Sequence, residues 1–352
     1  MARKLLWLDV DVGVDDAQAS TALQDSRRQS GHGMAGSDAN QPLPLPLQGL
    51  MLALAHADTS IVGISAVHGN VDVRKVALNI ARILTLCDRI DVPFHCGADE
   101  PLTAAAMDAS FFHGLDGLGD VPATFPAYSD LKLAAAPGHA AVHLARAVEE
   151  HEGELTIVAT GPLTNIALAC KLCEDLPSKV GRLVVMGGAE AAGNVTPTAE
   201  YNFHCDPESA QLVLRKFPQT LLVTWDCTIK HALDWSWVDA WLSKPGAKAT
   251  FMRDVMAKSM AYEQQREPGT PGLTDSVGWI ACDPLAVALA VCDDALLESE
   301  PKHCVVETKG TLTRGMSVFQ DPGGKAALKA NVLLVKSICM ARFAALLDAA
   351  TD

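Results

Sequence analysis

No stretch of this 352-residue chain stays apolar for the length of a membrane span, and positive charge is scarce: 28 Lys and Arg stand against 42 Asp and Glu, a formal net charge of −14. The first absence leaves no candidate membrane helix. The second argues against binding nucleic acid through a basic face or docking on an anionic lipid surface. No apolar signal-peptide core follows Met1-Ala2-Arg3-Lys4, and the ten cysteines are scattered, so reduced thiols in a cytoplasmic protein are expected. The one close pair, Cys170 and Cys173, falls in a segment of helical period, where small buried side chains are expected rather than a metal or redox site. What remains, 49% hydrophobic and 20% charged residues, is a globular composition long enough for one large domain over residues 1–352. An acidic surface suits an enzyme with a small neutral or cationic ligand.

Apolar runs rich in β-branched residues predict strands at Leu5–Val10, Ile61–Val67, Leu155–Ala159, Leu183–Met186 and Leu221–Trp225, with later ones near His303–Glu307 and Asn331–Val335. Helical period predicts helices at Asp72–Cys87, His139–His151, Leu163–Leu176, Pro207–Phe217 and Pro284–Val291, a mainly helical stretch from Trp235 to Glu267, and a last helix to Leu347. Repeated strand-then-helix order implies an α/β fold with a mostly parallel central sheet flanked by helices, binding its ligand beyond the carboxyl ends of the strands. Residues 24–48, rich in Ser, Gly, Gln and Pro and ending in a Pro-Leu repeat, read as a flexible insertion in that order.

The most informative segment is Asp9-Val-Asp11-Val-Gly-Val-Asp15-Asp16, four carboxylates directly after the apolar run Leu5–Leu8. Like charges this close repel, and buried carboxylates are costly unless paired or ligated, so a divalent cation is the simplest object to hold them together. A helix–loop–helix calcium loop is excluded: counted from Asp9 it needs Gly and Glu where the chain has Val14 and Ser20. Other strand ends carry polar residues suited to a polyol: His68-Gly69-Asn70, Thr160-Gly-Pro-Leu-Thr-Asn165, Met186-Gly-Gly, and Asn194 followed by Glu200-Tyr201-Asn202.

Taken in order, Asp-x-Asp-x-Gly-x-Asp-Asp, His-Gly-Asn, Ala-Thr-Gly-Pro-Leu-Thr-Asn-Ile-Ala, Met-Gly-Gly, Asn-x5-Glu-x-Asn and a late Asp-Pro-Leu-Ala-Val resemble the inosine–uridine-type nucleoside hydrolase family, from Lys4 to the last helix. The resemblance implies a Rossmann-like fold with extra helices around the pocket, and hydrolysis of the N-glycosidic bond of ribonucleosides to ribose and free base. It also implies a homodimer or homotetramer acting in purine or pyrimidine salvage. In that family a Ca²⁺ ion binds the ribose diol and the attacking water. Carried onto this chain, Asp11, Asp16, Asp283 and the Thr160 carbonyl would be metal ligands, an all-oxygen set that suits Ca²⁺. Asp11 would also be the general base. Asp15, Asn70, Asn194, Glu200, Asn202, Asp283 and the backbone at Met186 would hold the ribose, with Asp9 orienting its neighbours.

Many members have His immediately before the late Asp, near the leaving base, whereas this chain has Cys282-Asp283. A thiol does not copy imidazole, so a subgroup with Cys here is implied and the leaving-group acid is open. His113, in a Gly-rich loop, and Tyr262, one helical turn from Arg266, are the remaining candidates to meet the base. Two rival readings follow. A haloacid-dehalogenase-like phosphatase also begins Asp-x-Asp but has Thr or Val where this chain has Gly13, and it leaves the Asn/Glu/Asn set unexplained. A nucleoside-binding pseudo-enzyme would have lost turnover through Cys282 or the insertion.

Overall fold

The expected strand-then-helix alternation is present in a computed structural model that describes residues 3–12, 46–105, 118, 133–264, 278–323 and 327–352. Its first half runs β1 (Lys4–Val10), α1 (Pro46–Ala55), β2 (Thr59–Ala66), α2 (Val73–Leu86), β3 (Phe94–Cys96), α3 (Ala140–Glu150), β4 (Leu155–Ala159), α4 (Thr164–Leu172), α5 (Leu176–Lys179) and β5 (Arg182–Met186). The second half runs α6 (Tyr201–Cys205), α7 (Pro207–Lys216), β6 (Thr220–Val223), α8 (Trp225–Lys230), α9 (Trp235–Leu242), α10 (Ala247–Gln264), α11 (Cys282–Val291), β7 (Leu296–Val306), β8 (Ser317–Gln320), β9 (Val332–Ile338) and α12 (Met340–Ala350).

The nine strands among the described residues form one sheet in the order β3-β2-β1-β4-β5-β6-β9-β7-β8. Strands β1 to β6 and β9 pair in parallel, and β7 is antiparallel to both β9 and β8. Both faces are covered, and period-two alternation sorts the side chains. Leu6, Leu8, Val10, Val158, Val184 and Leu221 enter one apolar layer, while Trp7, Ile157, Ala159, Leu183, Val185 and Leu222 enter the other. Because β1 lies between β2 and β4, the chain turns one way after β1 and the other way after β3. The crevice beyond β1 and β4 is therefore a topological switch point, where open α/β sheets bind ligands.

Several helix starts lie where a side-chain cap puts them. Asp72 caps α2 by accepting from the Arg74 N–H, and His139 caps α3 by accepting from the Ala141 N–H. Four expectations shift. The predicted helix 163–176 ends at Cys173 and resumes as α5 with Pro177 in its first turn; the stretch after Trp235 breaks at Pro245-Gly246. The strand ending in Trp225 stops at Val223 because Thr224 caps α8. Strand β7 begins seven residues before His303, in Leu-Leu-Glu-Ser-Glu-Pro-Lys, whose mixed polarity hides it. Its Pro301 pairs with β9 on a stretch that β8, which pairs from His303 onward, does not reach. The insertion 24–48 falls outside the described residues up to position 45, and its last residues already form the first turn of α1 with Leu47 and Gln48 buried. Among the described residues no helix is long and apolar enough to cross a membrane.

The β1–β2 pair has one irregularity, a one-residue slip between Leu6 and Trp7 that sets Trp7 against Gly63. A Cβ on Gly63 would overlap the Trp7 indole. The ring also donates from Nε1 to Ser65 Oγ at 3.0 Å, so it cannot turn away freely. We therefore expect Gly63→Ala to lower the unfolding free energy by about 1–3 kcal/mol through overpacking, read as a lower denaturant midpoint at unchanged m. A midpoint equal to wild type would show that the β1–β2 seam yields.

Candidate functional site

The parallel strands β1, β2, β4 and β5 end at one rim, and each delivers a polar group at or just beyond its end. The rim begins with Asp9, the last polar side chain inside β1. Fully buried, it accepts from Asn165 Nδ2 at 2.8 Å and from Ser65 Oγ, the hydroxyl that also receives the Trp7 indole N–H. Asn165 reaches this point because α4 starts directly beyond β4, and its Oδ1 in turn accepts from the Ala98 N–H at 2.8 Å. Burial pushes the Asp9 carboxyl up to about 6 against the pull of these two donors.

Asp11 stands just past the strand end. Its Oδ2 accepts from the Asn70 backbone N–H at 3.3 Å, and its Oδ1 has no hydrogen-bond partner among the described residues. The backbone closes around it: a Cβ on Gly69 would overlap the carboxylate, and one on Gly161 would come within 3.0 Å of Asp11 Cγ. Burial first, then the charges of Glu200 and Asp9, hold the Asp11 carboxyl well above the usual carboxylate range. Asp283, in the first turn of α11, has neither carboxylate oxygen partnered among the described residues, although it is only 1% exposed. Burial, then Asp11 and Glu200, raise it likewise, which places the three acids within electrostatic reach of one another.

Glu200 caps α6 and is held differently. Its carboxylate accepts three backbone N–H groups, from Gly188 and Asn202 at 2.8 Å and from Phe203 at 3.2 Å, yet burial still pushes it up to about 7. The neighbouring Asn202 donates from Nδ2 to the Thr160 and Met186 carbonyls, each at 3.2 Å, tying the ends of β4 and β5 together. Each carbonyl keeps a second lone pair for a ligand. Asn194 accepts from the Tyr201 N–H at 2.9 Å and leaves its buried Nδ2 unpartnered among the described residues, while Tyr201 donates its hydroxyl to the Gly69 carbonyl at 2.8 Å.

Asp11, Asn70, Thr160, Met186, Asn194, Glu200, Asn202, Cys282 and Asp283 are thus all buried around one rim. Asp15, Asp16, His113 and Arg266 lie outside the described residues, and so does the side chain of Tyr262 at the end of α10. One arrangement has no counterpart in the sequence reading. His68 Nε2 lies 2.9 Å from Thr164 Oγ1, which donates to Asp206 Oδ2 at 2.6 Å; Asp206 also accepts from Leu102 N–H at 3.1 Å and caps α7 at Ser209. Since the Thr164 hydrogen goes to Asp206, His68 must donate from Nε2, and burial drops its pKa to about 4, leaving the ring neutral. This string joins the loop of Asn70, the start of α4 and the helix pair that carries Glu200 and Asn202. Its only sequence signal was that His68 and Thr164 sit inside motifs already noted for their neighbours.

Chemically, the rim offers carboxylate and carbonyl oxygens with free lone pairs. Asp11 Oδ1 and both oxygens of Asp283, buried without partners among the described residues, fit a hard divalent cation. Among the described residues no group of three or more acidic, His or Cys side chains forms a complete metal cluster, and the further expected carboxylates, Asp15 and Asp16, are not among them.

A family profile described as inosine-uridine preferring nucleoside hydrolase matches residues 47–345. The pyrimidine-specific ribonucleoside hydrolase RihA of Salmonella enteritidis is 32% identical over 269 residues, 76% of this chain and 83% of the relative. Among solved structures, an inosine-guanosine nucleoside hydrolase superposes with a TM-score of 0.78 at 28% identity, covering 99% of this chain and 98% of its own. A plant nucleoside hydrolase, at 23% identity and TM-score 0.79 over 99% of both chains, attests the fold.

The raised acids set a direction for pH dependence. In the fold Asp9 keeps its proton to about 6 and Glu200 to about 7, whereas their ordinary values are 3.8 and 4.5. The stabilisation from their protonated forms is therefore complete below the ordinary values and is lost as pH rises through the folded ones. Asp11 and Asp283, raised by the same cause, must shed protons before a cation can bind. If a divalent cation binds here, the rise in Tm it produces over a chelator control should accordingly be larger at about pH 8 than at about pH 5. Equal rises at the two pH values would mean that no proton is displaced from these carboxyls.

Proposed function

Because the chain belongs to the inosine-uridine preferring nucleoside hydrolase family, it is a ribonucleoside hydrolase, and we propose that Asp11 acts as its general base beside a Ca²⁺ ion held by Asp11, Asp16, Asp283 and the Thr160 carbonyl. The observation that carries this reading is the pair of buried carboxylates, Asp11 and Asp283, at the switch point of the sheet: of their oxygens only Asp11 Oδ2 has a hydrogen-bond partner among the described residues. A divalent cation held there would lower the pKa of a bound water and would bind a vicinal diol.

The chain's own residues do the rest. The Asn70 N–H fixes Asp11 Oδ2, and the carboxylate so held takes a proton from water. Asp9, tied by Ser65 and Asn165, keeps the end of β1 in place behind it. Asp15, Asn70, Asn194, Glu200 and Asn202, with the Met186 backbone, hold the ribose hydroxyls; the unpartnered Asn194 Nδ2 is a donor suited to one of them. As the glycosidic bond lengthens the ribosyl group gains positive charge, and buried carboxylates stabilise that state more than the neutral substrate. His113 and Tyr262 face the base in this reading. The enzyme works in the cytoplasm, in nucleoside salvage, as a homodimer or homotetramer, with residues 1–352 forming one domain that carries the insertion 24–48.

Release of reducing sugar from inosine, uridine, guanosine, adenosine, cytidine and xanthosine, with Ca²⁺ and with chelator, tests the reaction and ranks the bases. Chelator-sensitive release is expected. Asp11→Asn should fold normally and lose about 10²–10⁴-fold in kcat. Unchanged turnover in that variant would remove Asp11 from the mechanism, and a bound nucleoside that is never cleaved by wild type would sink the hydrolytic reading.

A further inference from the structure

Cys282 opens α11, directly before Asp283, and is sealed from solvent. Its Sγ lies 3.2 Å from Thr228 Oγ1, and Thr228 Oγ1 lies 2.8 Å from the Trp225 carbonyl one turn back in α8. A hydroxyl has one hydrogen to give. Sulfur is a weak acceptor and a backbone carbonyl a strong one, so that hydrogen goes to Trp225 and the Thr228 oxygen receives the Cys282 S–H. The thiol proton is thus engaged by the neighbouring helix.

The same end of α11 is gripped from two other directions. Gly49 of α1 passes so close that a Cβ there would come within 3.1 Å of Val287 Cγ2 and 3.3 Å of the Asp283 carbonyl carbon. Upstream, Leu233 and Trp279 exchange two backbone hydrogen bonds, of 2.8 and 2.7 Å. The Cys282–Thr228 bond is a side-chain tie at the turn that bears Asp283. Asp283 accepts no hydrogen bond among the described residues, so its position comes from the backbone that carries it. Any slack in that first turn passes straight to the carboxylate.

We propose that Cys282 and Thr228 are positioning residues: their bond docks the first turn of α11 on α8 and so sets where Asp283 meets its cation. The thiol is then not the acid that protonates the departing base. This rests on the cation-binding reading of the site given above.

The test compares wild type with Cys282→Ala, Cys282→Ser and Thr228→Val, by Ca²⁺ titration calorimetry and by hydrolysis of two ribosides. One is the ribonucleoside cleaved fastest by wild type; the other is p-nitrophenyl ribofuranoside, whose nitrophenolate departs without needing a proton. Cys282→Ala and Thr228→Val should each weaken Ca²⁺ binding on the order of 10-fold, as loss of a group behind a metal ligand does. They should lower kcat/KM equally for both ribosides, and Cys282→Ser, which keeps a donor, should recover most of the loss. Should Cys282→Ala not fold, the near-isosteric Thr228→Val carries the same test. A Cys282→Ala variant slowed on the nucleoside alone, with its Ca²⁺ affinity intact, would make Cys282 the acid and overturn the proposal, as would unchanged affinities and rates throughout. Wild-type protein that binds Ca²⁺ yet cleaves neither riboside would sink the hydrolytic function while the affinities still decide the positioning role.

Discussion

Everything about this fold has to accommodate four carboxylates, Asp9, Asp11, Glu200 and Asp283, buried at one end of a parallel sheet. Burying one such group costs several kcal/mol unless its charge is met, and each raises the others' cost. The structure answers unevenly, and the unevenness is informative. Glu200 accepts three backbone N–H groups, Asp9 two side-chain donors, Asp11 one backbone N–H from Asn70, and Asp283 none among the described residues. The acids met by the protein belong to the frame, and those left bare are the ones that need something from outside it.

The sheet makes this concentration possible. Parallel strands buried on both faces are rigid and apolar along their length, so polar groups gather where the strands stop. At the rim, space is limited enough that Gly69 and Gly161 must lie against Asp11 without side chains. Bonds between loops then replace the ladder bonds that end with the strands. Asn202 joins the ends of β4 and β5, Tyr201 reaches back to Gly69, and the His68–Thr164–Asp206 string ties three loops in the interior. These ties between loops restrict the rim to one geometry, which is what a site for a small polar ligand requires.

Several elements are legible in the sequence because one local rule suffices for each. β1 shows itself as an apolar run closed by acids, and α2 as an amphipathic stretch with Asp72 in front and Cys87 behind. β3, with Phe94, His95 and Cys96, and β8, with Ser317 to Gln320, are too short to show a period, and they exist because a neighbouring strand offers an edge. The polar first half of β7 is a strand for the same reason, through its pairing with β9. Among site residues, those sharing a motif with an acid or amide stood out. Ser65, Asp206 and Thr228 did not, because a lone Ser, Asp or Thr has no local mark of the distant partner it bonds.

The order of the motifs, from the Asp9–Asp16 cluster to Asp283, was enough by itself to indicate the α/β class, the family and the residue types at the rim. Those properties depend on local periodicity and on chemical identity, both written along the chain. Only the tertiary structure decided which oxygens are satisfied and which are bare, and that the Cys282 thiol is bonded to Thr228. Hydrogen-bond partners separated by tens of residues are chosen by how strands and helices come together in space, and no spacing along one chain encodes that choice.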